Sequence, residues 1–188
     1  SGYRGWADQW AAQSGNPAVP DCLGDTIEGF PRDDLDALEA LLKKHSGNVA
    51  MIALDVASGT AAPQEVVEGI RELADEHEAL LMFDEIVTGF RMSRGGGQGY
   101  YGVTPDLAVF AKGMANGMPI AAVCGRENVM RPSKDLVISI TYGGEALSLA
   151  AANASLQIYE NEPVTDHMFA QGKKLGEAFE RIGAENGV

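Results

Sequence analysis

Ala79-Leu80-Leu81-Met82-Phe83 runs apolar into Asp84, and Leu107-Ala108-Val109-Phe110-Ala111 runs apolar into Lys112. Each run is short and unbroken, the pattern of a strand buried inside a sheet. Each closes on a charge. Upstream, Val49-Ala50-Met51-Ile52-Ala53-Leu54 has the same character. Between it and the second run, Pro63 opens a helix that carries Val66, Val67, Ile70 and Leu73 on one face. Strand–helix–strand alternation predicts an α/β fold, a mainly parallel sheet with helices on both faces. In open sheets of this kind ligands lie beyond the carboxyl ends of the strands. Asp84 and Lys112 both stand there, so opposite charges on one sheet edge point to a shared site.

Working outward, Leu35, Leu38, Leu41 and Leu42 mark an amphipathic helix that stops near Lys44-His45 and Gly47. Residues 7–31, punctuated by Gly, Pro and Asp, read as a long loop. Ile120-Ala121-Ala122-Val123-Cys124 is a fourth strand. Its connection from Ala111 is too short for a helical crossover, which leaves it free to run antiparallel. An Ala-rich helix is expected from Gly144 to about Glu160, and an amphipathic one from about Asp166 to Ile182. There is no internal repeat and no low-complexity tract.

Composition narrows the function classes. Of the 188 residues 45% are apolar and 22% charged, which is the balance of a folded domain. The 27 acidic against 14 basic side chains give a net charge of −13, which repels phosphate backbones and anionic lipid, so neither nucleic acid nor a membrane is an expected partner. No apolar run reaches the roughly 20 residues that span a bilayer. Cys22 and Cys124 read as reduced, buried thiols, which suits a cytoplasmic location. His45, His77 and His167 are scattered, and no metal site is expected.

Taken singly, Asp84 also fits a strand-ending turn residue or helix cap, and Lys112 a solvated lysine at the start of a loop. The loop after Lys112 lacks the glycine spacing of a phosphate-binding P-loop. The motifs gain force together. Asp84-Glu85-Ile86-Val87-Thr88-Gly89-Phe90-Arg91, the segment from Leu107 through Lys112 to Pro119, Tyr3-Arg4-Gly5-Trp6, and Thr141-Tyr142-Gly143-Gly144-Glu145-Ala146 are four ordered motifs spread over nearly the whole chain. The sequence closely resembles the class III aminotransferases of fold type I, in particular their glutamate-1-semialdehyde 2,1-aminomutase-like branch.

That resemblance implies the large domain of a pyridoxal 5′-phosphate enzyme that moves an amino group between an amino acid and an aldehyde or ketone. Lys112 would form the Schiff base with the cofactor and then act as general acid–base. Asp84 would keep the ring nitrogen protonated. Ile86 and Tyr3 would pack on the two ring faces. Thr141, with the Gly143-Gly144 turn, would serve the cofactor phosphate of a neighbouring subunit, which implies a homodimer. Small-molecule amino donors and acceptors are the implied partners. Glu85 and Arg91 read as a structural ion pair without a chemical role. Residues 1–160 would be the central part of the cofactor-binding domain. Residues 161–188 would be a linker helix toward a small C-terminal domain, so the chain reads as part of a longer enzyme.

Three positions depart from the family pattern. Arg4 stands where His is usual, and Asp55 stands near a usual Glu-Pro. The lysine loop reads Met114-Ala115-Asn116-Gly117 in place of a run of glycines, which bears on the cofactor's surroundings. Asp55 leaves substrate choice open. A racemase or decarboxylase of the same fold type is the alternative chemistry, and a non-catalytic α/β module the alternative class.

Overall fold

The computed structural model describes residues 26–57, 59–136 and 141–187. Tyr3, Arg4 and Cys22 lie outside the described residues. Helix α1 (Leu35–Lys44) begins where Asp34 accepts a hydrogen bond from the Ala37 amide at 2.9 Å, and it ends on Lys43 and Lys44, which complement the helix dipole. Strand β1 (Met51–Leu54), helix α2 (Gln64–Glu76) and strand β2 (Leu80–Asp84) follow as a β–α–β unit. A short helix α3 (Gly96–Tyr101) precedes β3 (Leu107–Phe110). Beyond it come a 3₁₀ turn over Lys112–Met114, strand β4 (Ala122–Gly125), helix α4 (Glu127–Met130) and a second 3₁₀ turn over Arg131–Asp135. Helices α5 (Ala146–Asn161) and α6 (Val164–Asn186) complete the described chain.

The sheet order is β1-β2-β3-β4. The first three strands are parallel, in a register that sets Ile52 beside Leu81 and Phe83 beside Ala108. β4 runs antiparallel to β3, as the short connection after Ala111 allows. The fold is therefore α/β with a mixed, mostly parallel sheet flanked by helices. Burial along β1 and β2 alternates: Ile52, Leu54, Leu81 and Phe83 are sealed, while their neighbours Met51, Ala53, Leu80 and Met82 are half-buried. The sealed face meets Leu38 and Leu42 of α1 and Val66, Val67, Ile70 and Ala74 of α2. Gly69 lets the two helices approach, since a Cβ there would stand 2.5 Å from Leu35 Cδ1.

β4 departs from its expected burial. It starts two residues later than the apolar run suggests, and Val123 and Cys124 are both exposed. Cys124 is therefore a free surface thiol and not a buried one. Among the described residues the strand ends the sheet, and apolar side chains on such a strand are sealed only if another element covers them.

One charged cluster locks the amino-terminal side of β3. Asp106 is buried, and its carboxylate accepts from the Leu81 amide at 2.7 Å. It pairs with Arg71 of α2 at 3.0 Å and with Arg126, just past β4, at 2.6 Å. Burial pushes this carboxyl up, but the Leu81 amide and the two guanidinium groups outweigh it and hold the group below the usual aspartate value. A carboxyl depressed by folding adds stability above its unfolded value of about 3.9, and that stability is lost as pH falls through the folded value. Asp106→Asn is expected to lower stability by about 2 kcal/mol at neutral pH. In urea titrations repeated at falling pH, the gap between the two proteins should close below about pH 4.

Candidate active site

The parallel register of β2 and β3 builds the site. Asp84, the last residue of β2, stands opposite Val109, and the next amide, that of Glu85, donates to the Val109 carbonyl at 2.9 Å. Lys112 follows three residues further along. The Lys112 ammonium lowers, and the Asp55 carboxylate raises, the pKa of Asp84. The residues beyond β1, β2 and β3 thus share one electrostatic neighbourhood. Ile86 is half-buried there and donates its amide to Asp84 Oδ1 at 3.0 Å, fixing the carboxylate's orientation.

Asp84 is half-buried, and among the described residues it forms no ion pair. Loss of solvent pushes its carboxyl up, the Ile86 amide pulls it back in part, and Asp55 pushes it further up. A desolvated carboxylate fixed on one oxygen and lacking a cation fits a protonated ring nitrogen. Lys112 supplies a primary amine nearby. Its own backbone is unusual: φ is +39°, in the left-handed region that a lysine rarely adopts. The 3₁₀ turn after it closes through Met114 N–H to Ala111 C=O and Asn116 N–H to Lys112 C=O, both 2.9 Å.

Glu85 does not pair with Arg91. Strand alternation sends it to the face opposite Asp84, into a fully buried pocket. There it accepts from the Thr88 hydroxyl, from the Gly97 amide at 2.8 Å and from the Gln98 amide at 3.1 Å. Arg91 donates instead to the Val87 carbonyl at 2.8 Å. The glycine run 95–97 is what lets α3 come so close. At Gly96, where φ is +68°, an added Cβ would sit 2.7 Å from Glu85 Oε2. That run was visible in the sequence; its partner was not.

Thr141 lies exposed in the turn before α5. The first amides of α5 are already engaged: Glu145 accepts from Ser148 N–H at 2.8 Å and from the Ser148 hydroxyl at 2.6 Å, and these bonds lower its pKa. An incoming phosphate would therefore have to be met by Thr141 and the turn, since the helix terminus is self-capped. Asp84 and Ile86 are hydrogen-bonded and Lys112 stands at the same strand-end edge; Thr141 stands in a separate turn, and Tyr3 lies outside the described residues.

Comparison with known proteins places this geometry in a family. Residues 25–188 match the model of the class-III aminotransferases. The 3-aminobutyryl-CoA aminotransferase of Cloacimonas acidaminovorans is 37% identical over 194 residues, covering 100% of this chain and 46% of that protein. The glutamate-1-semialdehyde 2,1-aminomutase of Roseiflexus castenholzii is 38% identical over 200 residues, covering 97% of this chain and 46% of that protein. A solved transaminase with PLP bound superposes with a TM-score of 0.87 at 26% identity, over 99% of this chain and 48% of its own. The chain thus spans about half the length of the relatives it matches.

The desolvated state of Asp84 has a measurable consequence. A carboxyl raised by folding is a stability cost that is absent at low pH and grows as pH climbs from about 3.9 through the folded value. Asp84→Asn keeps an oxygen for the Ile86 amide and removes that cost. Without cofactor, this variant is expected to melt at a higher temperature than the parent at neutral pH and at the same temperature near pH 3. Gly96→Ala should do the opposite, losing about 2 kcal/mol through the left-handed backbone and the clash with Glu85. Thermal melts of both variants check these outcomes. With its strand-end carboxylate and lysine and its match over residues 25–188, the chain belongs to the class-III aminotransferase family.

Proposed function

We propose that this chain is the cofactor-holding part of a pyridoxal 5′-phosphate-dependent aminotransferase or aminomutase that moves an amino group between an amino acid and an aldehyde or ketone. The observation that carries the reading is Asp84: a half-buried carboxylate with a raised pKa and, among the described residues, no ion pair, within the field of Lys112 at the ends of parallel strands. Bound pyridoxal phosphate supplies an electron sink for the bond being broken at the amino acid's α-carbon.

This chain's residues do the rest. Lys112 would hold the cofactor through its amine, and that amine, when free, would move the α-proton as general acid–base. Asp84 holds a proton on the ring nitrogen, and its raised basicity strengthens that bond. Ile86 covers one ring face and Tyr3 the other. Thr141 donates to the cofactor phosphate of a partner subunit, which makes the working form a homodimer. Support for an assembly comes from the apolar side chains left open around that turn and along α5, among them Tyr142, Leu147, Leu149 and Ile158. In this reading residues 1–160 are the central part of the cofactor-binding domain, and residues 161–188 lead toward a small C-terminal domain. No helix among the described residues is long and apolar enough to cross a membrane. A cytoplasmic setting is part of the proposal, in keeping with Cys124 as a free thiol.

In the intact protein, borohydride reduction with pyridoxal phosphate followed by peptide mapping should place the label on Lys112, and Lys112→Ala should abolish it. Asp84→Asn should keep the label but lose turnover by about 100-fold or more, the scale of removing a key electrostatic group. Label on another lysine, or full turnover in Asp84→Asn, would falsify the assignment. A single-turnover half-reaction with an amino donor that leaves the cofactor absorbance unchanged would favour a racemase or decarboxylase.

A further inference from the structure

Three residues with side chains adopt a left-handed backbone around the lysine loop: Phe90 (φ +61°), Lys112 (φ +39°) and Asn116 (φ +45°). Such conformations persist only where the surroundings impose them. Two of them, Phe90 and Asn116, touch one side chain, Tyr159 of α5, and the third, Lys112, directly precedes the Gly113 carbonyl that Tyr159 binds. Its hydroxyl donates to the Gly113 carbonyl at 3.1 Å and accepts from Asn116 Nδ2 at 3.2 Å. Its ring stacks on Phe90 at 5.2 Å and 20°, and Phe90 in turn meets Phe110, the last residue of β3, at 5.7 Å. Asn116 closes the circuit by donating its amide to the Lys112 carbonyl at 2.9 Å. The carbonyl just after Lys112 and the residue that bonds the Lys112 carbonyl are therefore both held by one phenol.

We propose that Tyr159 is a positioning residue: its hydroxyl latches the Lys112 turn to α5 and keeps the lysine in the left-handed conformation that aims its amine at the site. The latch explains a departure in the loop. Asparagine tolerates left-handed φ better than most residues, and its amide supplies the donor that a glycine in that place would lack. The aromatic stack alone cannot do this work, because it touches the loop only through Phe90 and Phe110 and bonds no backbone group of the turn.

The inference rests on Lys112 being the cofactor's amine, so its test separates the two ideas. Tyr159→Phe keeps the ring and its stack and removes only the hydroxyl; Asn116→Gly accepts the same φ and removes only the side-chain donor. The first readout is hydrogen exchange of the amides from Met114 to Asn116 in the cofactor-free intact protein. Both variants should exchange about three- to tenfold faster there, the effect of one neutral hydrogen bond. The second is the pH midpoint of the visible absorbance of bound pyridoxal phosphate, which should move by about half a unit. The third is turnover, where kcat should fall with little change in KM, since the substrate's contacts are untouched. The double variant should be no worse than either single one. Unchanged exchange and an unmoved pH midpoint in Tyr159→Phe, with borohydride label still on Lys112, would overturn the latch and leave the function standing. Label absent from Lys112 in the parent protein would overturn the function itself, and with it the latch.

Discussion

Two consecutive carboxylates at the end of β2 are sent to opposite sides by the pleat, and the site depends on that division. Glu85 goes inward and is fully paid for: a hydroxyl and two amides meet its oxygens in a pocket without solvent. Asp84 goes to the strand-end edge and is only partly satisfied, by the Ile86 amide. The first is a structural anchor because its two amide donors, Gly97 and Gln98, belong to the first turn of α3 and tie that helix back to the strand. The second is left underpaired, because among the described residues no cation lies within ion-pair reach of it. Had the register slipped by one residue, the two roles would be exchanged and both would fail.

Much of the frame was legible in the sequence because it rests on local patterns. The apolar runs closing on Asp84 and Lys112 and the helix opened by Pro63 follow from periodicity, and the short connection after Ala111 left room for the antiparallel sense of β4. The buried state of Cys124 did not follow, because an apolar run says what a strand prefers and not whether anything covers it. The supposed Glu85–Arg91 pair failed for a related reason. Six residues apart in a bent segment, their charges suggest a match, but the amides that actually satisfy Glu85 are backbone groups twelve and thirteen residues on, which no side-chain pattern announces. The Tyr159 contacts were invisible too: they span more than forty residues and depend on how α5 lies against the lysine loop.

The two charged centres divide the labour along the sheet. Asp106, at the amino end of β3, joins β2, α2 and the segment after β4 with a fully matched carboxylate. Asp84, at the carboxyl end of β2, is left underpaired. Parallel strands make this polarity possible, since they bring every carboxyl end, and so Asp55, Asp84 and Lys112, to one edge. The matched end fixes the strand register; the unmatched end inherits positions it does not itself stabilise.

Strain follows the same polarity. Of the non-glycine residues with left-handed φ among those described, Phe90, Lys112 and Asn116 gather beside the site, and only Glu78 lies elsewhere. A lysine on a relaxed loop could reach the same space, but it would sample many others, and each rotatable bond left free costs entropy when the amine must meet one atom. Holding the backbone in an uncommon conformation transfers that cost to folding, where the packing of Met114, Ala115 and Ala152 can offset it. In the proposed role of Lys112, the small cluster under the lysine loop would carry that cost while the Tyr159 hydroxyl holds the turn.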